Sequence, residues 1–316
     1  MRIILAATGA FAVPSLEVIA DHLQPENLLI ISQPDRRRGR GRHLQPFPVK
    51  QLAMERQLVT ITPEKITSSD IIEQCTAFAP DFLVAVDYGQ IIPASLISVP
   101  SQAAVNLHPS LLPAYRGPAP MVWTLLNGDP VTGVTTQLLA PQVDRGDILL
   151  QEKVAVEQSE TLPHLTDRLR ILGAKLLWET LKQWQAGRIT PRQQDEAQAS
   201  YAPMLKKEDG LLDWQQDAEK LERQIRALNP WPGTFTFWQG KRFKILAAEI
   251  PPAMAADHKA PGTVLIGDGR ILLATGSGFL QITSVQAENR PRRSAGEFLR
   301  GSTLKTGDRF TRQPLP

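Results

Sequence analysis

Asn106 and His108 stand two residues apart in the segment Asn106-Leu107-His108-Pro109-Ser110-Leu111-Leu112-Pro113-Ala114-Tyr115-Arg116-Gly117-Pro118-Ala119-Pro120. In an extended chain, residues two apart point to the same side. One offers an amide donor and the other an imidazole, so both can address one carbonyl oxygen. Four prolines and Gly117 favour a shaped loop over regular structure. The plain alternative is a structural loop whose histidine bonds to backbone. The asparagine partner and the loop context favour chemistry. Asp144, in Val143-Asp144-Arg145-Gly146-Asp147, is the third candidate. A turn carboxylate by itself is a cap or a surface charge. Here His108 needs a group to orient it or to answer its charge, and Asn106, His108 and Asp144 form a candidate catalytic trio.

Residues for competing chemistry are missing from the sequence. The five histidines (22, 43, 108, 164 and 258) are scattered, with no HExxH or CxxC spacing, so no metal is expected. There is no GxxxxGK[ST] phosphate loop and no G-x-S-x-G elbow. Thr8-Gly9 is too sparse for a dinucleotide fingerprint. A covalent serine or cysteine intermediate finds no support. Direct attack by a substrate nucleophile on a carbonyl held by the protein is what remains.

These residues need elements to position them. Apolar runs at 2–7, 28–32, 82–86 and 103–107 read as strands, and 59–61 as extended chain. Helical patterns fill 12–22, 48–56, 69–78, 121–127 and a long amphipathic stretch, 161–185. Residues 133–139 and 148–156 read as an antiparallel pair. Strands alternating with helices predict an open, mostly parallel α/β sheet with helices on both faces. Ligands of such sheets sit beyond the carboxyl ends of the strands, where residue 106 follows the run 103–105. From 187 to 203 the chain turns polar and reads as a linker. A helix at 218–228 and short β-rich runs at 234–238, 243–249, 262–266, 271–274 and 279–285 predict a small β-barrel. The expected division is a catalytic domain over 1–188, a linker over 189–207 and a barrel domain over 208–316.

The 316 residues suffice for two domains, and 42% hydrophobic residues suffice for sizeable cores. No stretch approaches the ~20 apolar residues of a membrane span. The opening MRIILAATGAF reads as a strand and not as a signal peptide. Cys75 is the only cysteine, which excludes an internal disulfide and fits a reducing compartment, with the cytoplasm as default. A packing role is expected for it. Net charge is +3, unevenly spread: residues 206–316 hold 17 Lys+Arg against 12 Asp+Glu, a balance of +5, and the rest stands at −2. Arg36, Arg37, Arg38, Arg40 and Arg42 form a second basic cluster opposed only by Asp35. Two basic surfaces predict a polyanionic partner.

Residues 106–120, read as Asn-x-His-x-Ser-Leu-Leu-Pro-x-Tyr-Arg-Gly-x-Ala-Pro, resemble the signature of the folate-dependent formyltransferases. Residues 143–147 resemble the family's Leu-Asp-x-Gly-Asp turn. Within the family, Ser32-Gln33-Pro34-Asp35-Arg36 through Gly39-Arg40-Gly41, with Pro46-x-Pro48-Val49-Lys50, resembles the tRNA-facing insertion loop of the members that act on charged initiator tRNA. Tyr88-Gly89-Gln90-Ile91-Ile92-Pro93 resembles the folate-pocket segment. Asp213-Trp214 and Ile225-Arg226-Ala227-Leu228-Asn229-Pro230-Trp231-Pro232 resemble the start of the C-terminal domain. The resemblance runs over nearly the whole chain.

It implies a Rossmann-like formyltransferase sheet followed by an OB-like barrel that binds tRNA. The implied donor is 10-formyltetrahydrofolate, a cosubstrate. The implied acceptor is the α-amine of initiator methionyl-tRNA, giving N-formylmethionyl-tRNA for translation initiation. Asn106, His108 and Asp144 match the catalytic trio. Tyr88, Ser110, Leu111, Leu112 and Pro113 match folate-contacting positions. Arg36, Arg37, Arg38, Arg40, Arg42, Lys206 and Lys207 are the expected nucleic-acid contacts. No metal and no membrane partner are expected, and a monomer is. The chain departs from the family at Ala7 (usually Gly), Gly9 (usually Pro), Asp87 (usually small and apolar), Ala140 (often Asp), Gln142 (often Gly), Arg145 (usually Thr) and Met204 (usually Lys). Two rivals share parts of the pattern. A formyltransferase acting on a small amine, such as a nucleotide sugar or glycinamide ribonucleotide, needs the trio without the arginine loop. A folate- or RNA-binding protein with a decayed site needs no trio.

Overall fold

The computed structural model describes residues 1–38, 43–252 and 259–314. Contacts divide the chain into two compact units. The first comprises residues 1–120, 131–156 and 164–202, and the second 121–130, 157–163 and 203–316.

The first unit holds β1 (Ile3–Ala7), α1 (Val13–Ala20), β2 (Leu28–Ile31), β3 (Arg36–Arg38), β4 (His43–Gln45), α2 (Pro48–Glu55), β5 (Val59–Ile61), α3 (Ser69–Phe78), β6 (Phe82–Val86), α4 (Ala94–Ile97) and β7 (Ala103–His108). The helix α5 (Pro120–Asn127) lies mostly in the second unit. β8 (Val131–Leu138), β9 (Ile148–Ala155) and most of α6 (Leu162–Gln185) return to the first. Seven strands form one sheet in the order β5-β2-β1-β6-β7-β8-β9. β5, β2, β1, β6 and β7 run parallel, and β8 and β9 add antiparallel turns at one side. This is the mostly parallel α/β sheet expected from the alternating pattern. β1 and β6 are buried at every position, as strands covered on both faces must be. The chain leaves β1 towards β2 on one side and later fills β6 on the other. The crevice at that reversal, beyond the strand ends, is where such sheets bind ligands.

Two elements differ from expectation. β7 runs through His108, so Asn106 and His108 belong to the strand and not to the loop after it. Antiparallel pairing sets Asn106 opposite Gln137 and His108 opposite Thr135, which holds residues 106–108 extended. The basic stretch expected as a loop is in part a hairpin, with Arg36 paired to Gln45 and Arg37 to Leu44. Packing of α6 also serves the site strand. Its buried residues Leu165, Leu169, Gly173, Leu176, Leu177 and Leu181 recur at helical spacing. A Cβ on Gly173 would lie 2.8 Å from Leu107 Cδ2, so glycine is what lets the helix seat against β7.

The second unit contains α7 (Ala218–Leu228), β10 (Thr234–Trp238), β11 (Lys241–Glu249), β12 (Val264–Gly267), β13 (Arg270–Ala274), β14 (Phe279–Ala287), β15 (Arg293–Ser294) and α8 (Ala295–Leu299). Its sheet is antiparallel in the order β10-β11-β14-β13-β12, with β15 beside β14. The chain end stitches the two outer strands. Phe237 and Thr311 exchange backbone hydrogen bonds of 3.0 and 2.9 Å, and Val264 N donates to Asp308 O at 2.8 Å. Residues 308–311 thereby turn the sheet into a small barrel and cover both edges. Phe310, 2% exposed, sits inside it against Trp214 and Phe243. Phe310→Ala is expected to cost about 3–5 kcal/mol, measured by denaturant unfolding. A loss below about 1 kcal/mol would show that the stitch does not hold the barrel.

Candidate active site

His108 is 4% exposed at the carboxyl end of β7. Its Nε2 lies 2.9 Å from the Tyr115 carbonyl. A carbonyl only accepts, so the proton of this bond is on Nε2. Tyr115 adopts a left-handed backbone, φ 62°, in the turn that aims that carbonyl. The other ring nitrogen, Nδ1, faces Asp144 Oδ1 at 3.6 Å, an ion-pair distance too long for a hydrogen bond. The backbone-bonded histidine weighed as an alternative is therefore present, but it occupies only Nε2. Nδ1 is the atom left to take or give a proton. The half-buried Asn106 amide has no hydrogen-bond partner among the described residues, so its donors are available.

Asp144 is held from three directions. Gly117 N donates to Oδ2 at 2.8 Å and Gln137 Nε2 to Oδ1 at 3.0 Å. Asp144 itself is left-handed, φ 55°, a conformation that costs a non-glycine residue of order 1 kcal/mol and needs surrounding contacts to persist. Those contacts come from Gln194, whose Nε2 reaches Asp144 O at 2.8 Å and Gly146 O at 2.7 Å. Gly146 is required by space, since a Cβ there would lie 1.7 Å from Leu138 O. Gln194 in turn accepts from Arg116 Nε at 3.0 Å and Nη2 at 2.8 Å. The fully buried Arg116 also grips Glu196 with bonds of 3.0 and 2.8 Å. The Glu196 carboxylate holds the Arg116 guanidinium above its usual range, against the effect of burial. The same bond lowers Glu196.

Composition reads 189–207 as a linker, yet residues 189–202 fall in the first unit and supply Gln194, Glu196 and Ser200 to this network. Ser200 receives Tyr115 N on its Oγ at 2.9 Å and Arg116 N on its carbonyl at 2.8 Å.

Residues 1–181 match the formyl transferase family, and residues 204–303 match the formyl transferase C-terminal domain. The chain belongs to the formyltransferase family. Relatives support the assignment over almost its whole length. The methionyl-tRNA formyltransferase of Geotalea daltonii is 41% identical over 309 residues, covering 97% of each chain. That of Trichlorobacter lovleyi is 42% identical over 308 residues, covering 97% of this chain and 96% of its own. A solved N-formyltransferase from Helicobacter canadensis, in complex with folinic acid and dTDP-3-aminofucose, shares the fold at TM-score 0.66 and 18% identity, over 91% of this chain and 99% of its own.

In this formyltransferase the other expected site residues have varied settings. Ser110 is buried, donating to Ala114 O at 2.6 Å and accepting from Thr135 Oγ1 at 2.6 Å through its carbonyl. Leu112 is buried too, with N bonded to Thr135 Oγ1, whereas Leu111 and Pro113 are half-buried. Tyr88 points into the apolar core beside Ile71 and Cys75. Its hydroxyl is buried without a partner among the described residues, and burial pushes it up to about 12. The side chain is therefore core. The Tyr88 carbonyl accepts from Thr8 Oγ1 and Gln33 Nε2. Cys75 is buried as expected, its thiol pushed up to about 11. Arg36 and Arg37 are exposed on the hairpin, and Lys206 and Lys207 are exposed in the second unit. Arg40, Arg42 and the Arg38 side chain lie outside the described residues.

Sequence reasoning missed Gln137, Gln194, Arg116 and Glu196. One signal was visible: Thr135, Thr136 and Gln137 in a strand pattern are costly to bury without partners, so their presence there marks a polar network.

Asp87 and Gly9 meet beyond the ends of β6 and β1. A Cβ on Gly9 would lie 1.8 Å from Asp87 Oδ2, so the carboxyl fills space that only glycine leaves. Water reaches Asp87, but the protein crowding it pushes its pKa up to about 6, opposed by a bond from the Phe11 backbone. A carboxyl raised in the folded state loses stability as pH climbs from its unfolded value, roughly 3.9, to its folded one. Asp87→Asn is thus expected to leave the melting temperature unchanged near pH 4 and to raise it at pH 7. An equal shift at both pH values would remove the titration of Asp87 as the cause.

Proposed function

We propose that the protein transfers the formyl group of 10-formyltetrahydrofolate to the α-amine of initiator methionyl-tRNA, giving N-formylmethionyl-tRNA for translation initiation. The observation that carries the reading is the unpartnered Asn106 amide beside a histidine whose free Nδ1 faces Asp144. Relatives 41% and 42% identical over nearly the full chain, named as methionyl-tRNA formyltransferases, support the acceptor. The neighbour solved with folinic acid supports a reduced folate as donor. The enzyme acts as a monomer in the cytoplasm in this reading.

The acceptor amine, with a reference pKa near ~7.7–8, is partly neutral at neutral pH and attacks the formyl carbon. A carbon–nitrogen bond forms and the formyl oxygen becomes an oxyanion. Asn106 donates to that oxygen, an interaction typically worth ~2.7–4 kcal/mol in the transition state. The attacking nitrogen gives up a proton, which His108 Nδ1 takes while the Asp144 charge stabilises the imidazolium. The proton then passes to N10 of the folate as the carbon–N10 bond breaks. Leu111 and Pro113, the half-buried residues of the loop, contact the folate, whereas the buried Ser110 and Leu112 hold the loop's shape from inside, with the Tyr88 backbone at the neighbouring strand end. Arg36, Arg37, Arg38, Arg40 and Arg42, together with Lys206 and Lys207, contact the tRNA phosphates.

Incubation with 10-formyltetrahydrofolate and charged initiator tRNA should yield formylmethionyl-tRNA. Formylation of a nucleotide amino sugar in its place would overturn the acceptor. His108→Ala is expected to cut turnover by about 100-fold or more with folate affinity retained, and near-normal turnover would remove His108 from the mechanism. Arg40→Ala, or Arg37→Ala, should raise the Michaelis constant for tRNA without changing folate affinity. An unchanged tRNA constant in both would dissociate the hairpin from the acceptor.

A further inference from the structure

The polar chain behind Asp144 has a feature that simple packing does not require. Arg116 carries donors only, so the Gln194 atom facing it must be Oε1. That fixes the flip of the Gln194 amide and points its NH₂ at Asp144 O, Gly146 O and Gln137 Oε1, the last at 3.1 Å. Taking a hydrogen bond on Oε1 fixes the Gln137 amide in the same way and leaves its NH₂ for Asp144 Oδ1 at 3.0 Å. The acceptors at the far side, two backbone carbonyls for Gln194 and the Asp144 carboxylate for Gln137, demand the same orientations, so the two amides form one directed chain from the buried guanidinium. The end of the series is the carboxylate oxygen that faces His108 Nδ1 at 3.6 Å.

We propose that Gln194 is a positioning residue for formyl transfer, acting through Gln137 and the 144–146 turn to aim the Asp144 carboxylate at His108. Gln194 touches neither His108 nor Asn106 among its hydrogen bonds, and it is buried at 6% exposure, away from any substrate. Its effect is on the direction of Asp144. Loss of the amide donors frees a left-handed turn and removes the bond that braces Gln137 against Asp144 Oδ1. Positioning errors of this size lower turnover more than binding.

The kinetic arm rests on the formyl-transfer reading, and a second arm does not. Gln194→Glu keeps the side-chain length and the Arg116 bond and puts an anionic acceptor oxygen where the donors stood. It should lower kcat by roughly 10- to 100-fold with the folate Michaelis constant within about threefold of the parent. Gln194→Ala should do the same. In an Asp144→Ala background, Gln194→Ala should add no further loss, because the group it aims is gone. A kcat within about threefold of the parent for both single variants, or a multiplied loss in the double variant, would overturn the proposal. The second arm uses ¹⁵N-histidine labelling, with the His108 ring signals identified by their absence in His108→Ala. Those signals should move in Gln194→Glu in the direction they move in Asp144→Ala. Signals coincident with the parent's would overturn the proposal whether or not the protein formylates tRNA. Absence of transfer by the parent together with the expected shift would remove the function and leave the positioning role standing.

Discussion

The buried guanidinium of Arg116 sets the terms for the whole catalytic end of the sheet. A charge taken fully out of water must find partners for its donors, because an unpaired buried ion costs several kcal/mol. The partners it finds are Gln194 and Glu196, both from a polar stretch far along the chain. Meeting that requirement draws residues 194–202 against the loop that follows β7. Gly117, the residue after Arg116, then presents its amide to Asp144, and Ser200 fixes the backbone of Tyr115. One electrostatic demand thereby places the carboxylate, the carbonyl that binds His108 and the turn between them.

The sheet supplies the rest. β7 carries Asn106 and His108 on one face because strand residues alternate, and pairing to β8 keeps them extended up to the last residue. The strand order reverses between β1 and β6, the place where sheets of this kind take their ligands. Thr8, Gly9 and Asp87 occupy the ends of those strands. Gly9 and Asp87 are a matched pair, one giving up the volume that the other fills.

The second unit solves a different problem. A five-stranded antiparallel path leaves two edges open to pairing with other chains. The last described strand-like segment covers both, and Phe310 anchors it in the apolar interior. The excess of positive charge in this part of the chain is then a property of a closed, edge-free surface, suited to a phosphate backbone and not to strand addition.

Much of this was legible in the sequence, for local reasons. Continuous apolar runs such as 82–86 mark central parallel strands, and the spacing of α6 marks an amphipathic helix, because period and burial are set residue by residue. The trio was legible because Asn106 and His108 are neighbours in an extended run and because long ordered motifs resemble a known family. The tertiary structure alone decided that β7 extends through His108, that Tyr88 turns into the core, and that Gln194 holds the 144–146 turn in place. Those outcomes depend on pairing and hydrogen bonding between residues up to 85 apart, such as Tyr115 with Ser200. The type of a glutamine in a polar stretch says nothing of the partner that will orient it. Types and spacing singled out Asn106 and His108, the need of His108 for a partner and the family resemblance added Asp144, and only the fold decided which nitrogen of His108 is free and what aims the carboxylate at it.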